Sequence, residues 1–170
     1  MRGTFSIRSM DTDTIITTLK ELVYLFSVCG FFILFVLIRG RQAVINLIFG
    51  LYLALLISLE FPYYDAALAS AGGPHGVAIA KIIIFAVFTI LATILIARTM
   101  PDAFREKKFE SFFKKILLAL AATILIMVYS FHVLPVTEFL TPGTPIQAMF
   151  APAQYFFWWL LIPFVILYLN

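Results

Sequence analysis

The amino-acid sequence predicts an all-α fold, a polytopic integral membrane helical bundle with four to five transmembrane helices. Of the 170 residues, 63% are hydrophobic and only 12% are charged, whereas about 25% of a soluble domain is charged. The mean hydropathy is +1.05. The apolar residues are gathered into long uncharged runs, and a helix of roughly 20 such residues crosses the hydrocarbon of a bilayer. At this length we expect a single transmembrane domain, residues 1–170.

The first two predicted spans, residues 22–38 and 43–59, flank the sequence LIRGRQAV. Each run forms a helix of about 26 Å, slightly short of the bilayer core. One continuous helix through both runs would place Arg39 and Arg41 near mid-membrane, at about 2.5–3.5 kcal/mol each. We therefore predict a tight hairpin turn. In this turn Gly40 takes the left-handed backbone that ends a helix, and both arginine side chains extend to the headgroups.

Three further apolar runs predict spans at about residues 77–97, 116–137 and 146–169. Lys81 lies one turn inside the third span, where its long side chain can reach the interface. Pro163 lies well inside the fifth run, and we expect it to kink that helix because proline removes a backbone donor. The fifth segment is accordingly either a full span or a tilted, partly interfacial one.

Lysine and arginine are distributed unevenly between the two sides of the predicted bundle. With five spans, eight of them lie on the side of the hairpin turn and the 98–115 loop, and four lie on the other side. Cytoplasmic loops carry the excess of these residues in membrane proteins. The pattern predicts a multi-pass plasma-membrane protein with its N-terminus outside and its C-terminus inside.

The 98–115 loop contains the sequence PDAFREKKFESFFKK, in which five basic and three acidic residues are mixed with four phenylalanines. It predicts a short amphipathic helix on the anionic inner leaflet, a docking site for another copy or another membrane protein, or a loop that only sets topology. Nucleic acid is not an expected partner. The basic residues assigned to lipid or partner contact are Arg105, Lys107, Lys108, Lys114 and Lys115.

Small and weakly polar residues recur every fourth position within two spans, which places them on one helix face. In lipid such rows allow helices to pack closely and to form interhelical hydrogen bonds. We favour packing seams over the alternative, a polar path through a small transporter or channel subunit. The second span contributes Asn46, Gly50, Ala54 and Ser58, and the third contributes Thr89 and Thr93.

Residues able to carry chemistry are sparse. We expect no carboxylate inside a span, and His132 lies about one turn from the outer end of the fourth span, where we favour a structural role over proton handling. No catalytic, cofactor or metal-ligand motif is found, so we predict a protein that is not an enzyme. Glu60, Asp65 and His75 share the outer side and are the only candidates for an enzyme acting on lipid or prenyl chains.

The order of these features resembles a known family. An early span, Arg39 and Gly40, and then VINLIFGLYLALLISLEFPYYDAAL with Gly50 are similar to the N-terminal half of the colicin V production protein (CvpA) family. FFKKILLALAATILIMVYSFHVLP resembles its last core span, although ESFFKK stands where the family commonly has a glycine-containing motif. The resemblance covers about residues 20–140. It implies a small bacterial inner-membrane protein in toxin export or envelope homeostasis, and it assigns no catalytic residue.

Overall fold

The computed structural model describes residues 10–69, 71–100, 112–133 and 145–169, and these residues form an all-helical bundle. Four of the helices, α1, α2, α4 and α5, are long and apolar enough to cross a membrane, which confirms the predicted fold class. In chain order the helices are α1 Met10–Arg39, α2 Arg41–Glu60, α3 Tyr64–Leu68, α4 Gly73–Thr99, α5 Phe112–His132, α6 Pro145–Phe150 and α7 Ala153–Leu169.

The first two helices are longer than the apolar runs that predicted them. The part of α1 suited to span a membrane is Thr18–Arg39, of 22 residues, and α2 has 20 residues. At 1.5 Å per residue these lengths are about 33 Å and 30 Å, enough for a bilayer core. The predicted spans were short because counting stopped at the first charged residue, whereas the helices continue through the polar residues on either side.

A single residue, Gly40, separates α1 from α2, as the predicted hairpin requires. Its backbone N–H still donates to the Val36 carbonyl at 3.0 Å, which closes the last turn of α1. Its φ is 81° and its ψ is 172°. The predicted left-handed helical backbone is therefore wrong in ψ, since that region lies near +47°. The observed combination is open essentially only to glycine, so Gly40 is required for a turn this short.

Replacing Gly40 by alanine is expected to lower the stability of the bundle by about 1–2 kcal/mol, because a Cβ atom strains the backbone at positive φ. The measurement is thermal unfolding of the purified protein in detergent. Gly30→Ala is the matched control, since Gly30 lies within α1 and a Cβ there meets nothing within 4 Å. Equal melting temperatures for the two variants would show that the turn does not depend on this conformation.

The two ends of the bundle differ in charge. One end, which we call the basic end, contains the hairpin turn and the facing ends of α4 and α5. The opposite end contains Glu60 at the end of α2 and His132 at the end of α5. The described residues of the basic end include Arg39, Arg41, Arg98, Lys114 and Lys115.

The fifth apolar segment is not one continuous helix, as the predicted 146–169 span was. It is divided into α6 and α7 at residues 151–152, and α7 has only 17 residues. Nevertheless α7 runs between both ends of the bundle. Phe156 in its first turn contacts His132, with ring centroids 4.5 Å apart, and Tyr168 in its last turn lines a cavity with Arg41 at the basic end. The helix continues through Pro163, which is buried.

The centre of the bundle is α5, which packs against α1, α2 and α7. Its inner face carries small and medium apolar side chains, so several helices can approach it closely. α4 packs mainly against α2 at the periphery. The fully buried apolar residues of α5 include Leu118, Ala119, Ala121, Ala122, Leu125 and Val128.

Candidate functional site

Helices α2 and α4 approach each other closely at Gly50, in the middle of α2. A Cβ atom placed there would overlap the Thr93 hydroxyl oxygen and would lie 3.0 Å from the Thr93 Cα and backbone N. These atoms belong to α4, so the two helix backbones contact each other at this point. The structure thus brings together one residue from each of the two predicted rows. Gly50 fits because any larger side chain would push α4 away.

The two threonines of α4 use their hydroxyl protons within their own helix. Thr93 Oγ1 donates to the Thr89 carbonyl at 2.7 Å, and Thr89 Oγ1 donates to the Phe85 carbonyl at 2.9 Å. Both side chains are half-buried. A hydroxyl bonded in this way is a compact, internally satisfied group, which suits a helix seam better than the wall of a solute path.

The other members of the α2 row are buried as well. Asn46 Oδ1 accepts a hydrogen bond from Gln42 Nε2 at 3.0 Å, one turn earlier on the same helix. Ala54 is fully buried. The Ser58 and Tyr64 hydroxyls are 2.6 Å apart, so the end of this row is bonded to the short helix α3. The row therefore runs through protein contacts along the length of α2.

Two tyrosines connect helices that the sequence did not pair. Tyr24 on α1 and Ser130 on α5 are 2.9 Å apart through their hydroxyls. Because the Ser130 hydroxyl donates to the Ile126 carbonyl, Tyr24 is the donor of the pair. Tyr52 on α2 donates to the Leu160 carbonyl on α7. The first bond fixes the position of α1 along α5, and the second fixes the position of α7 along α2. Apolar packing alone would not set these registers.

Glu21 corrects the expectation that no carboxylate lies inside a span. It lies one turn inside Thr18–Arg39, the part of α1 long and apolar enough to cross a membrane, and it is 2% exposed. Neither of its carboxylate oxygens has a hydrogen-bond partner among the described residues. It lies one turn from Tyr24, on the side of α1 that packs against α5. Helical spacing could have predicted the burial of Glu21, because the same face of α1 carries the packed residues Leu25, Val28, Phe32 and Val36.

The two arginines of the hairpin turn have different surroundings. Arg39 is exposed, as a side chain reaching the headgroups would be, but Arg41 is 2% exposed. The prediction that Arg41 extends out of the bundle is therefore wrong. Its burial follows from helical spacing, because the residues three and four positions later, Val44 and Ile45, face the core.

His132 links the end of α5 to the junction of α6 and α7. Its Nε2 atom lies 2.8 Å from the Phe150 carbonyl oxygen. A carbonyl only accepts, so Nε2 carries the hydrogen. The ring also contacts Phe156, and Trp159 donates to the Met149 carbonyl at 3.0 Å. These contacts fit a structural role for His132, and both that predicted role and the alternative of proton handling stay untested.

Of the remaining candidates in the described part of the chain, Lys115 lines a polar cavity with Arg39 and Arg41 at the basic end. Lys114 and Lys115 are half-buried in the first turn of α5. Arg105, Lys107 and Lys108 lie outside the described residues. Among the candidates for lipid chemistry, Glu60 and His75 are exposed on separate helices, and the Asp65 side chain is not described. Within the described ranges, no group of three His, Cys, Asp or Glu residues is placed to hold a metal ion.

Comparisons of the chain with protein-family models, curated proteins and solved structures find no match. The resemblance to the colicin V production family therefore stays an expectation from the sequence.

Proposed function

We propose that this membrane protein is a non-enzymatic accessory or scaffold protein of a bacterial plasma membrane, acting in toxin export or envelope homeostasis. The observation that supports it is the contact of Gly50 with Thr93. At this point the row of small and polar residues on α2 packs against the threonine row on α4. The role in export follows the sequence resemblance to the colicin V production family.

The distribution of charge supports an orientation with the basic end in the cytoplasm. Arg39, Arg41, Arg98, Lys114 and Lys115 all lie at that end, and positively charged residues are retained on the cytoplasmic side during insertion. With α7 running between the two ends, the N-terminus is outside and the C-terminus inside. Lys20 and Lys81, toward the opposite end, are the described exceptions.

The alternative is a transporter or channel subunit with a path lined by Asn46, Thr89 and Thr93. Cysteine accessibility in membranes separates the two functions. In a Cys29→Ala background, single cysteines at these three positions are expected to stay unlabelled by a water-soluble thiol reagent, because they face protein or hydrocarbon and not water. Cysteines at Arg39 and Ser70 are the matched controls, expected to label from opposite sides of the membrane.

Labelling of Asn46 and Thr89, with unlabelled neighbours on the lipid-facing sides of the same helices, would replace the scaffold with a water-filled path. If Arg39 were labelled from outside, the proposed orientation would be wrong. The role in export is tested by deleting the gene in its host. We expect lower toxin secretion or greater detergent sensitivity, restored by the wild-type gene and by Gly30→Ala, but not by Gly50→Leu. Full restoration by Gly50→Leu would contradict a function that depends on the seam.

A further inference from the structure

A polar cavity of about 280 Å³ opens at the basic end of the bundle. It lies where the hairpin turn meets the first turn of α5. Three of its lining residues, Arg39, Arg41 and Lys115, are cationic, and none of its described lining residues is acidic. Three cationic side chains around one small cavity give it a positive potential that attracts an anion.

The start of α2 faces the same cavity and adds to its positive potential. Gly40, the N-cap residue, offers no side-chain cap, and the first turn of α2 has no acidic residue. The first N–H groups of a helix have no partner within the helix, and the helix dipole places partial positive charge there. Together with the three cationic side chains, the start of α2 forms a site suited to a phosphate group.

An apolar cavity adjoins the polar one, and Arg41 lines both. It has a volume of about 350 Å³, and its other lining residues include Ile45, Phe49, Phe164 and Leu167. These residues come from α2 and α7, so the cavity runs along the face of α2 that α7 borders.

The apolar space continues further along α2. Phe49 and Met100 also line a second apolar cavity, which extends to Leu56. Arg41 and Leu56 are separated by 15 residues, or about 22 Å of helix. The three cavities follow one another along α2 through shared lining residues, with cationic side chains at one end and apolar ones along the rest. We call this series of cavities the groove. Its length is comparable to that of an extended lipid acyl chain.

We propose that this groove binds one anionic phospholipid. The phosphate lies between Arg39, Arg41 and Lys115 at the start of α2, and one acyl chain follows α2 between α4 and α7. Charge complementarity argues for this occupant, because a zwitterionic lipid would bring its own cation to a site that already holds three. The apolar part argues against a free phosphate ion, which would leave most of the groove without a ligand.

The test is native mass spectrometry of the purified full-length chain in a neutral detergent, titrated with lipids of identical acyl chains. We expect one bound phosphatidylglycerol, with affinity at least tenfold higher than for phosphatidylcholine. Because each of these side chains would form a charge-assisted hydrogen bond with the phosphate, Arg39→Gln and Lys115→Gln are each expected to weaken binding about tenfold or more. Arg98→Gln is the matched control, an exposed arginine at the same end that lines neither part of the groove.

A second comparison tests the apolar part of the groove. Leu167→Trp should fill the space for the acyl chain and weaken phosphatidylglycerol binding, and Arg98→Gln should leave it unchanged. Inorganic phosphate and deacylated glycerophosphoglycerol should not compete at the concentrations where the lipid saturates. Circular dichroism and thermal unfolding without lipid confirm that each variant is folded.

Equal affinity for phosphatidylglycerol and phosphatidylcholine would overturn the proposal. An equal loss of phosphatidylglycerol affinity in Arg98→Gln and Arg39→Gln would also overturn it. In that case the affinity would depend only on the overall positive charge of the basic end. Competition by inorganic phosphate alone would make the cavity a small-anion site instead. The scaffold function is decided separately by thiol labelling at Asn46 and Thr89, so failure of either proposal can be told from failure of the other.

Discussion

Gly50→Ala is expected to destabilise the bundle by about 1–3 kcal/mol, the usual cost of overpacking. The added methyl group would overlap the Thr93 hydroxyl and approach the backbone of α4 to 3.0 Å. Neither helix can move away without opening the rest of the α2–α4 interface, the most extensive helix pair in the described bundle. Gly50→Leu should cost more and separate the two helices. The measurement is reversible thermal or denaturant unfolding in detergent.

Two further variants make this prediction specific. Gly30→Ala in α1 should be neutral or stabilising by about 0.5–1 kcal/mol, because alanine favours helix and this site is open. Thr93→Ala removes the hydroxyl from the overlap, so the double variant Gly50→Ala/Thr93→Ala should recover part of the loss. Strictly additive effects would mean that Gly50 and Thr93 are not in contact, and a stable Gly50→Leu protein would exclude the seam.

Glu21→Leu is expected to stabilise the protein by about 1–3 kcal/mol, since a buried polar group without a partner costs about that much. Glu21 is 2% exposed and both of its oxygens lack partners among the described residues. Leucine has a similar volume and requires no hydrogen bond. Glu21→Gln should gain less, because the amide also needs partners. Unfolding in detergent measures the change.

The control for Glu21 is Glu60→Leu, at the exposed end of α2. Its effect should stay within about 0.5 kcal/mol, as for most surface substitutions. If Glu21→Leu instead destabilised the bundle, a partner must hold the carboxylate in the membrane. If it stabilised the bundle but abolished complementation of a deletion strain, Glu21 would be retained for function at the expense of stability.

The sequence predicted the hairpin turn from energetic cost alone. Two arginines near mid-membrane are expensive, and a glycine between them allows the chain to reverse. The same reasoning treated Arg39 and Arg41 as equivalent, because distance from the apolar run was the only measure of depth. Their difference comes from helix phase: Arg41 lies on the buried face of α2, and Arg39 lies on an exposed face of α1.

Glu21 shows the same limit at the other end of α1. The predicted first span began at residue 22 and so left Glu21 outside, although its spacing from Leu25 and Val28 puts it on the packed face of the helix. A hydropathy run ends where the first charged residue begins, but a helix ends only where its backbone does. The burial of Glu21 could therefore have been predicted from its position on the helical wheel. Defining the span by its uncharged residues hid this.

The sequence by itself determined the class of the protein, the approximate position of each long helix, and the rows of small and weakly polar residues along α2 and α4. These follow from local properties, because hydrocarbon demands apolar, fully hydrogen-bonded helices. Only the tertiary structure decided that Gly50 faces Thr93, that α5 is central, and that α7 lines a cavity with Arg41. In lipid every face of such helices is apolar, so hydrophobic periodicity does not identify a partner. Shape and a few hydrogen bonds make that choice.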